Sequence, residues 1–166
     1  MSFHGGLLGV LAVSALYARR HKFSLLALGD ILAVVAPIGI FFGRLANFIN
    51  GELYGRVASL PWAVNFPQGG DLPRHPSQLY EAVLEGLVLF VVMHFAARRA
   101  DIRRSPGFLF GLFVAGYSLS RFVVEFYREP DVQVGFFFGY FSLGQLLSLP
   151  MLAAGFLLIR HARKPA

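Results

Sequence analysis

An all-α polytopic membrane protein is the fold class this sequence predicts, with about five transmembrane helices at roughly 20 apolar residues per span. Three observations carry that expectation. The chain is 56% hydrophobic with a mean hydropathy of +0.61, too apolar for a soluble domain of 166 residues. Its apolar residues form continuous runs, not the alternating pattern of a membrane β-barrel. Basic clusters close every second run, as the positive-inside rule asks of cytoplasmic loops.

The runs can be taken in order. The first, 5–18, is short for a span and ends in Arg19-Arg20-His21-Lys22. The second, 25–49, is interrupted by Asp30 and Pro37. An outer loop over 50–76 follows, rich in Pro and Gly. The third run, 79–97, opens just after Pro76, an ordinary helix-entry residue, and ends in a cluster holding Arg98, Arg99, Arg103 and Arg104. The fourth is 107–127; the fifth, 139–159, ends in Arg160-His161-Ala162-Arg163-Lys164. Residues 1–166 read as a single transmembrane domain without tandem repeats.

With the three basic clusters in the cytoplasm, the N-terminus, the 50–76 loop and the 128–138 segment lie outside and the C-terminus inside. The charge of +6 and pI near 10.2 are then largely topological, and nucleic acid is not an expected partner. The absence of cysteine excludes disulfides, thiolate metal sites and a cysteine nucleophile. No basic segment precedes His4-Gly5-Gly6, so no cleavable signal peptide is expected. Gly39 with Gly43, and Gly51 with Gly55, carry the small-xxx-small spacing of close helix packing.

Five cations remain outside the clusters: Arg44, Arg56, Arg74, Arg121 and Arg128. All fall within the membrane or toward its outer side, and an intramembrane charge is costly enough to invite a functional reading. Arg44 and Asn47 share a helix face at i, i+3. Tyr117, Arg121, Glu125 and Arg128 form one stripe of the fourth helix, either as an internal ion pair that eases insertion or as part of a site. Gln78, Glu81 and Glu85 share a face of the third helix. Two carboxylates so spaced repel unless cations stand between them, and Arg44 or Arg121 would serve. The network is either structural, holding helices two to four together, or functional. Asn47 and Asn50 can cap a helix end or bond across helices. His4 and His75 lie at the outer side; His21 and His161 sit solvated in the cytoplasmic basic clusters, and nothing in the sequence pairs with His94. No metal-ligand spacing, phosphate loop, serine elbow or dinucleotide fingerprint is present, so neither metal nor cofactor is expected. Convergent guanidinium groups in the outer leaflet suit an anionic amphiphile such as a phospholipid. Enzyme and lipid transporter remain open on that physics.

Four segments carry a resemblance. Gly43-Arg44-Leu45-Ala46-Asn47-Phe48-Ile49-Asn50-Gly51-Glu52 followed by Gly55-Arg56 looks like the signature of bacterial prolipoprotein diacylglyceryl transferases. Phe3-His4-Gly5-Gly6-Leu7, His75-Pro76-Ser77-Gln78-Leu79-Tyr80-Glu81 and the stretch from Arg121 to Asp131 resemble three further family segments in family order. The resemblance implies transfer of the diacylglyceryl group of phosphatidylglycerol to the lipobox cysteine of a preprolipoprotein in the bacterial cytoplasmic membrane. It implies that Arg44 and Arg121 hold the headgroup phosphate, that Asn47, Asn50, Glu52 and Gly55 bind the same lipid, and that Glu125 takes part in catalysis. His4 matches the histidine suggested as base for the incoming thiol; an arginine-activated thiolate is the other route. His75, Gln78, Tyr80 and Glu81 are implied in support. Family members usually carry about two further helices before the His-Gly-Gly segment, so the chain reads as the C-terminal part of the family domain. The other reading is a non-catalytic fragment that binds anionic phospholipid and needs those helices for turnover.

Overall fold

A computed structural model describes residues 3–129, 136–137 and 141–162, leaving aside the side chains of residues 3, 4, 7, 136 and 137. Among the described residues the chain is all-α apart from two paired strands of two residues each, and its helices are of membrane type. Helix α1 covers Phe3–Arg20 and α2 Leu25–Ile49. A continuous helix α3 covers Ser77–Arg98. The short α4 is Ala100–Arg103, α5 is Phe108–Val124 and α6 is Leu143–Ala162. Strands β1 (Phe136–Phe137) and β2 (Phe141–Ser142) pair antiparallel just before α6.

Among the described residues three helices, α2, α3 and α6, are long and apolar enough to cross a bilayer. Helix α5 is apolar but only 17 residues long, about 25 Å at 1.5 Å per residue. Large apolar side chains point outward along these helices: Phe42, Ile49, Phe95, Phe156 and Leu157 are all exposed. A chain whose solvent is hydrocarbon has no need to bury them.

Local chemistry sets the helix ends. Ser24 caps α2, its hydroxyl accepting from the Ala27 N–H at 3.4 Å. The expected start of the last helix at 139 is corrected to Leu143. Residues 141–142 are strand, and Ser142 forms a capping box with Gln145: Ser142 Oγ accepts from the Gln145 N–H at 3.2 Å, and Gln145 Oε1 from the Ser142 N–H at 3.1 Å. The expected fourth helix also runs short, because Glu125 to Tyr127 form a turn after Val124. Gly107, at φ 92°, occupies the left-handed region just before α5.

The N-terminus of α5 is capped from another helix. Asp30 of α2, buried, accepts from the Gly107 N–H and the Phe110 N–H, both at 2.7 Å. These are two of the donors that a helix start leaves without partners. Asp30→Ala is expected to lower the unfolding free energy by about 1–3 kcal/mol, the cost of stranding buried donors. Asp30→Asn, which keeps one acceptor, should recover part of it. Thermal unfolding in detergent reads both; an unchanged midpoint for Asp30→Ala would refute the capping role.

Helices α5 and α6 form the most extensive pair. A Cβ on Gly155 would come within 2.7 Å of the Ala115 backbone nitrogen and 2.9 Å of the Gly111 carbonyl oxygen, and a Cβ on Gly111 within 2.9 Å of Leu158. This is small-residue packing, but on Gly111, Ala115 and Gly155. Gly39 and Gly43 have open space where a Cβ would go, and Gly51 and Gly55 lie in the loop. The expected glycine pairs are therefore not the packing motif.

The interior is divided along the helix axes. Toward the basic helix ends it is apolar, built on Ala33, Leu89, Met93 and Leu109. Toward the loop-bearing end it is polar: Ser77, Gln78, Glu81 and Glu85 have no exposed surface, and Glu125 is buried. The polar end is the candidate site.

Candidate functional site

Two close approaches and one irregular turn build the polar end. Gly86 of α3 stands against Phe41 of α2, where a Cβ would lie 2.8 Å from the Phe41 Cα. Only glycine lets the two backbones come so near, and Arg44, one turn beyond Phe41, is thereby brought onto α3. Residues Ala82–Val88 of α3 are π-helical, a local widening that is common at functional sites. That stretch holds Glu85, with Glu81 just before it.

Glu81 is the hub. Arg44 Nε lies 3.2 Å from its Oε2. Arg121 Nη1 and, at 3.2 Å, Arg128 Nη1 donate to its Oε1. Arg44 also reaches Glu85, its Nη2 donating to Oε2 at 3.4 Å. Arg121 continues to Glu125, Nη2 lying 2.8 Å from Oε2. Arg44, Arg121 and Arg128 thus face Glu81, Glu85 and Glu125, three charges against three. The Glu81 and Glu85 side chains are fully buried, while Arg44 and Arg121 keep 18% and 16% exposure. The arginine side chains thus keep some exposure where the carboxylates behind them have none. Four buried oxygens, Gln78 Oε1, Glu81 Oε2, Glu85 Oε1 and Glu125 Oε2, accept no hydrogen bond among the described residues, so the polar interior has unused hydrogen-bonding capacity.

Gly144 at the start of α6 sets the position of Glu125. A Cβ there would fall 2.7–2.8 Å from the carboxylate atoms of Glu125, so the absence of a side chain makes room for the acid. Nothing in the sequence singles out Gly144 or Gly86 among 18 glycines; the signal is the partner helix, which the sequence does not display.

A second polar group adjoins the cluster. Asn47 and Asn50 both donate to Glu52 Oε1, at 2.9 and 3.3 Å. They bond within their own segment rather than across helices. Gln78 Nε2 donates to the Glu52 carbonyl oxygen at 2.7 Å and Ser77 Oγ to that of Leu53 at 3.1 Å, tying the loop to the head of α3. Gly55 has a steric reason: its N–H bonds the His75 carbonyl oxygen at 2.9 Å, and a Cβ would strike His75 and the Tyr127 carbonyl. Arg56 donates Nε to the Arg128 carbonyl oxygen at 2.9 Å. Arg74 bonds Glu129 at 3.1 Å and lies over the Tyr54 ring at 4.9 Å. Arg74 holds the loop together, while Arg56 also ties it to the cluster, its Nη2 donating to the Glu125 carbonyl oxygen at 3.5 Å.

His75 stands apart from the ion network. Its Nδ1 lies 3.2 Å from the Tyr80 hydroxyl, which accepts from Trp62 Nε1 at 2.8 Å. Burial, reinforced by the Arg56 charge, lowers its pKa below 6.5 and keeps the ring neutral at neutral pH. The His4 side chain lies outside the described residues. Among the described residues no group of three or more His, Asp or Glu is placed to hold a metal ion.

Such a site offers fixed, partly accessible guanidinium groups at the edge of a hydrocarbon-facing bundle. That chemistry suits a phosphate ester. Comparison with known proteins points the same way. The family profile described as prolipoprotein diacylglyceryl transferase matches residues 1–161. A phosphatidylglycerol–prolipoprotein diacylglyceryl transferase of Rhodospirillum rubrum is 56% identical over 99% of this chain and 60% of its own length. Proteins of the same name from Idiomarina loihiensis and Rhizobium meliloti are each 54% identical, over 99% and 100% of this chain and 60% of their own lengths. The chain therefore spans about 60% of the length of these curated relatives.

Proposed function

The chain belongs to the prolipoprotein diacylglyceryl transferase family, and from that premise we propose that it transfers the diacylglyceryl group of phosphatidylglycerol to the lipobox cysteine of preprolipoproteins. The observation that carries the reading is the pair Arg44 and Arg121, each fixed by two carboxylates and each still partly accessible. In this reading the protein sits multi-pass in the bacterial cytoplasmic membrane, with the loop-bearing end outside and the basic helix ends in the cytoplasm.

The chemistry follows from the charges. The cysteine sulfur of the substrate attacks the glycerol carbon that carries the phosphate. A C–S bond forms, the C–O bond breaks, and glycerol phosphate leaves with the electron pair. The leaving dianion gains charge as the bond breaks, and Arg44 and Arg121 stabilise it. Their guanidinium planes are held by Glu81, Glu85 and Glu125, so little reorientation accompanies the step. Asn47, Asn50 and Glu52 offer donors and an acceptor for the headgroup hydroxyls. The thiol proton goes to His4, or the cations favour the thiolate directly.

The test is to incubate the reconstituted chain with phosphatidylglycerol and a lipobox peptide and to measure the diacylglyceryl mass increment on cysteine. Product is expected, and Arg44→Ala with Arg121→Ala should abolish it; transfer surviving the double change would refute the assigned roles. Saturable phosphatidylglycerol binding without product would favour the second reading, a lipid-binding unit that transfers only with further helices.

A further inference from the structure

On the other side of the α3–α5 seam lies a groove that the transfer chemistry does not use. Its volume is about 560 Å³, with walls of Leu79, Val83, Leu84, Val123 and Val124. None of the charged residues of the cluster lines it, because Gln78, Glu81 and Glu85 occupy a different face of α3. At one rim stand Trp62, His75, Tyr80 and Tyr127, the three rings other than Trp62 in edge contact with one another. Trp and Tyr of this kind settle at the headgroup level of a bilayer.

The rim hydrogen bonds fix the direction of one donor. Trp62 N–H donates to the Tyr80 oxygen. Tyr80 then has its own proton to place, and His75 Nδ1 is the acceptor within reach. The chain is complete only in the tautomer that carries its proton on Nε2. His75 Nε2–H has no partner among the described residues, on a ring that lines the groove. The lowered pKa of His75 is consistent with this neutral form.

We propose that this groove binds one acyl chain of a bilayer glycerophospholipid, its ester carbonyl accepting a hydrogen bond from His75 Nε2. The lipid is separate from the one the arginines face. Three arguments select this occupant. The groove, about 560 Å³ with apolar walls, has room for the apolar chain of a lipid. A helical peptide, about 10–12 Å across, would lay only one face against the groove and offers no free acceptor to the donor at the rim, its carbonyls being paired within the helix, and an extended one would leave its backbone amides unpaired against Leu and Val. An acyl chain has no such groups, and its single acceptor lies at the end nearest the headgroups, where the donor is.

Phosphatidylcholine is a suitable probe, since its quaternary ammonium offsets the phosphate charge that draws a lipid to the arginines, and the arginine variant below separates any binding there from binding in the groove. Diacyl phosphatidylcholine and its diether analogue, which lacks the carbonyls, are titrated against the purified chain in detergent and bound lipid is counted by native mass spectrometry. The diacyl lipid is expected to bind about three- to tenfold more tightly, one hydrogen bond's worth. His75→Phe should erase the preference and His75→Gln, which keeps a donor, should retain part of it. Val83→Trp, filling the groove, should remove saturable binding of both lipids, while Arg44→Ala with Arg121→Ala should leave it. Thermal unfolding confirms that each variant is folded. Equal binding of ester and ether lipids by the native chain overturns the proposal, as does a preference that survives His75→Phe, or displacement of the lipid by an apolar helical peptide.

Discussion

Glu81→Ala is expected to be the most damaging single change in the charged cluster, lowering the unfolding free energy by about 3–5 kcal/mol. The side chain has no exposure and three arginines converge on it. Removing it leaves three guanidinium groups facing two carboxylates, with the hub gone from between them. The intact cluster is not itself a large net gain, because desolvating so many charges offsets much of their attraction. The damage comes from breaking it. Glu85→Ala should cost less, because Glu85 meets one arginine, at 3.4 Å, where Glu81 meets three. Chemical or thermal unfolding in detergent gives the order. Equal stability for Glu81→Ala and Glu85→Ala would show that Glu81 is not the hub. Glu81→Gln separates charge from shape, and it should fall nearer to Glu81→Ala, because an amide donates where the arginines need acceptors.

Much of this arrangement is legible in the sequence, for reasons of period. Apolar runs give the long helices because membrane spans have one length scale. The spacing of Gln78, Glu81 and Glu85 gives one face, and two carboxylates on that face demand cations, which Arg44 and Arg121 supply. Local readings fail where the determinant lies far along the chain. Asp30 looks like an interruption of an apolar run, yet it caps a helix that begins beyond Gly107. Gly39 and Gly43 have the packing spacing but face open space, whereas Gly111 and Gly155 meet across a helix pair. A spacing rule sees one helix and cannot choose between them. The π-helical stretch Ala82–Val88 is equally silent: its composition is that of any apolar helix. Arg128 reads as the last residue of a helical stripe. It reaches Glu81 instead from beyond a turn, paired across a β-bridge with Gly55.

The loop shows the same limit. Its Pro and Gly content gives irregularity but not the fact that Arg74 bridges both Val57 and Val64, or that Gly55 is pressed between His75 and Tyr127. These contacts hold the 50–76 segment over the head of α3. They place Glu52 beside Gln78, and so bring the asparagine group next to the arginine cluster.

Arg121→Lys is expected to lower the rate of diacylglyceryl transfer by about 10²- to 10³-fold, although it preserves the charge. Arg121 spans two carboxylates at once, Nη1 on Glu81 and Nη2 on Glu125. A lysine ammonium is a single point and cannot hold both acids in one plane. Glu125 would lose the ion-pair partner described for it while remaining buried against Gly144. The phosphate would meet a cation free to rotate, so the loss should fall mainly on kcat, with KM for phosphatidylglycerol changing less. Gly144→Ala gives an independent reading of the same geometry. It touches no substrate in the proposed chemistry, yet its Cβ would displace Glu125 and with it Arg121. It too should therefore lower kcat, by a smaller factor, with the chain still folded. If Arg121→Lys changed only KM, the guanidinium would be serving ground-state binding alone. If Gly144→Ala left kcat unchanged, the carboxylate behind Arg121 would not be what orients it.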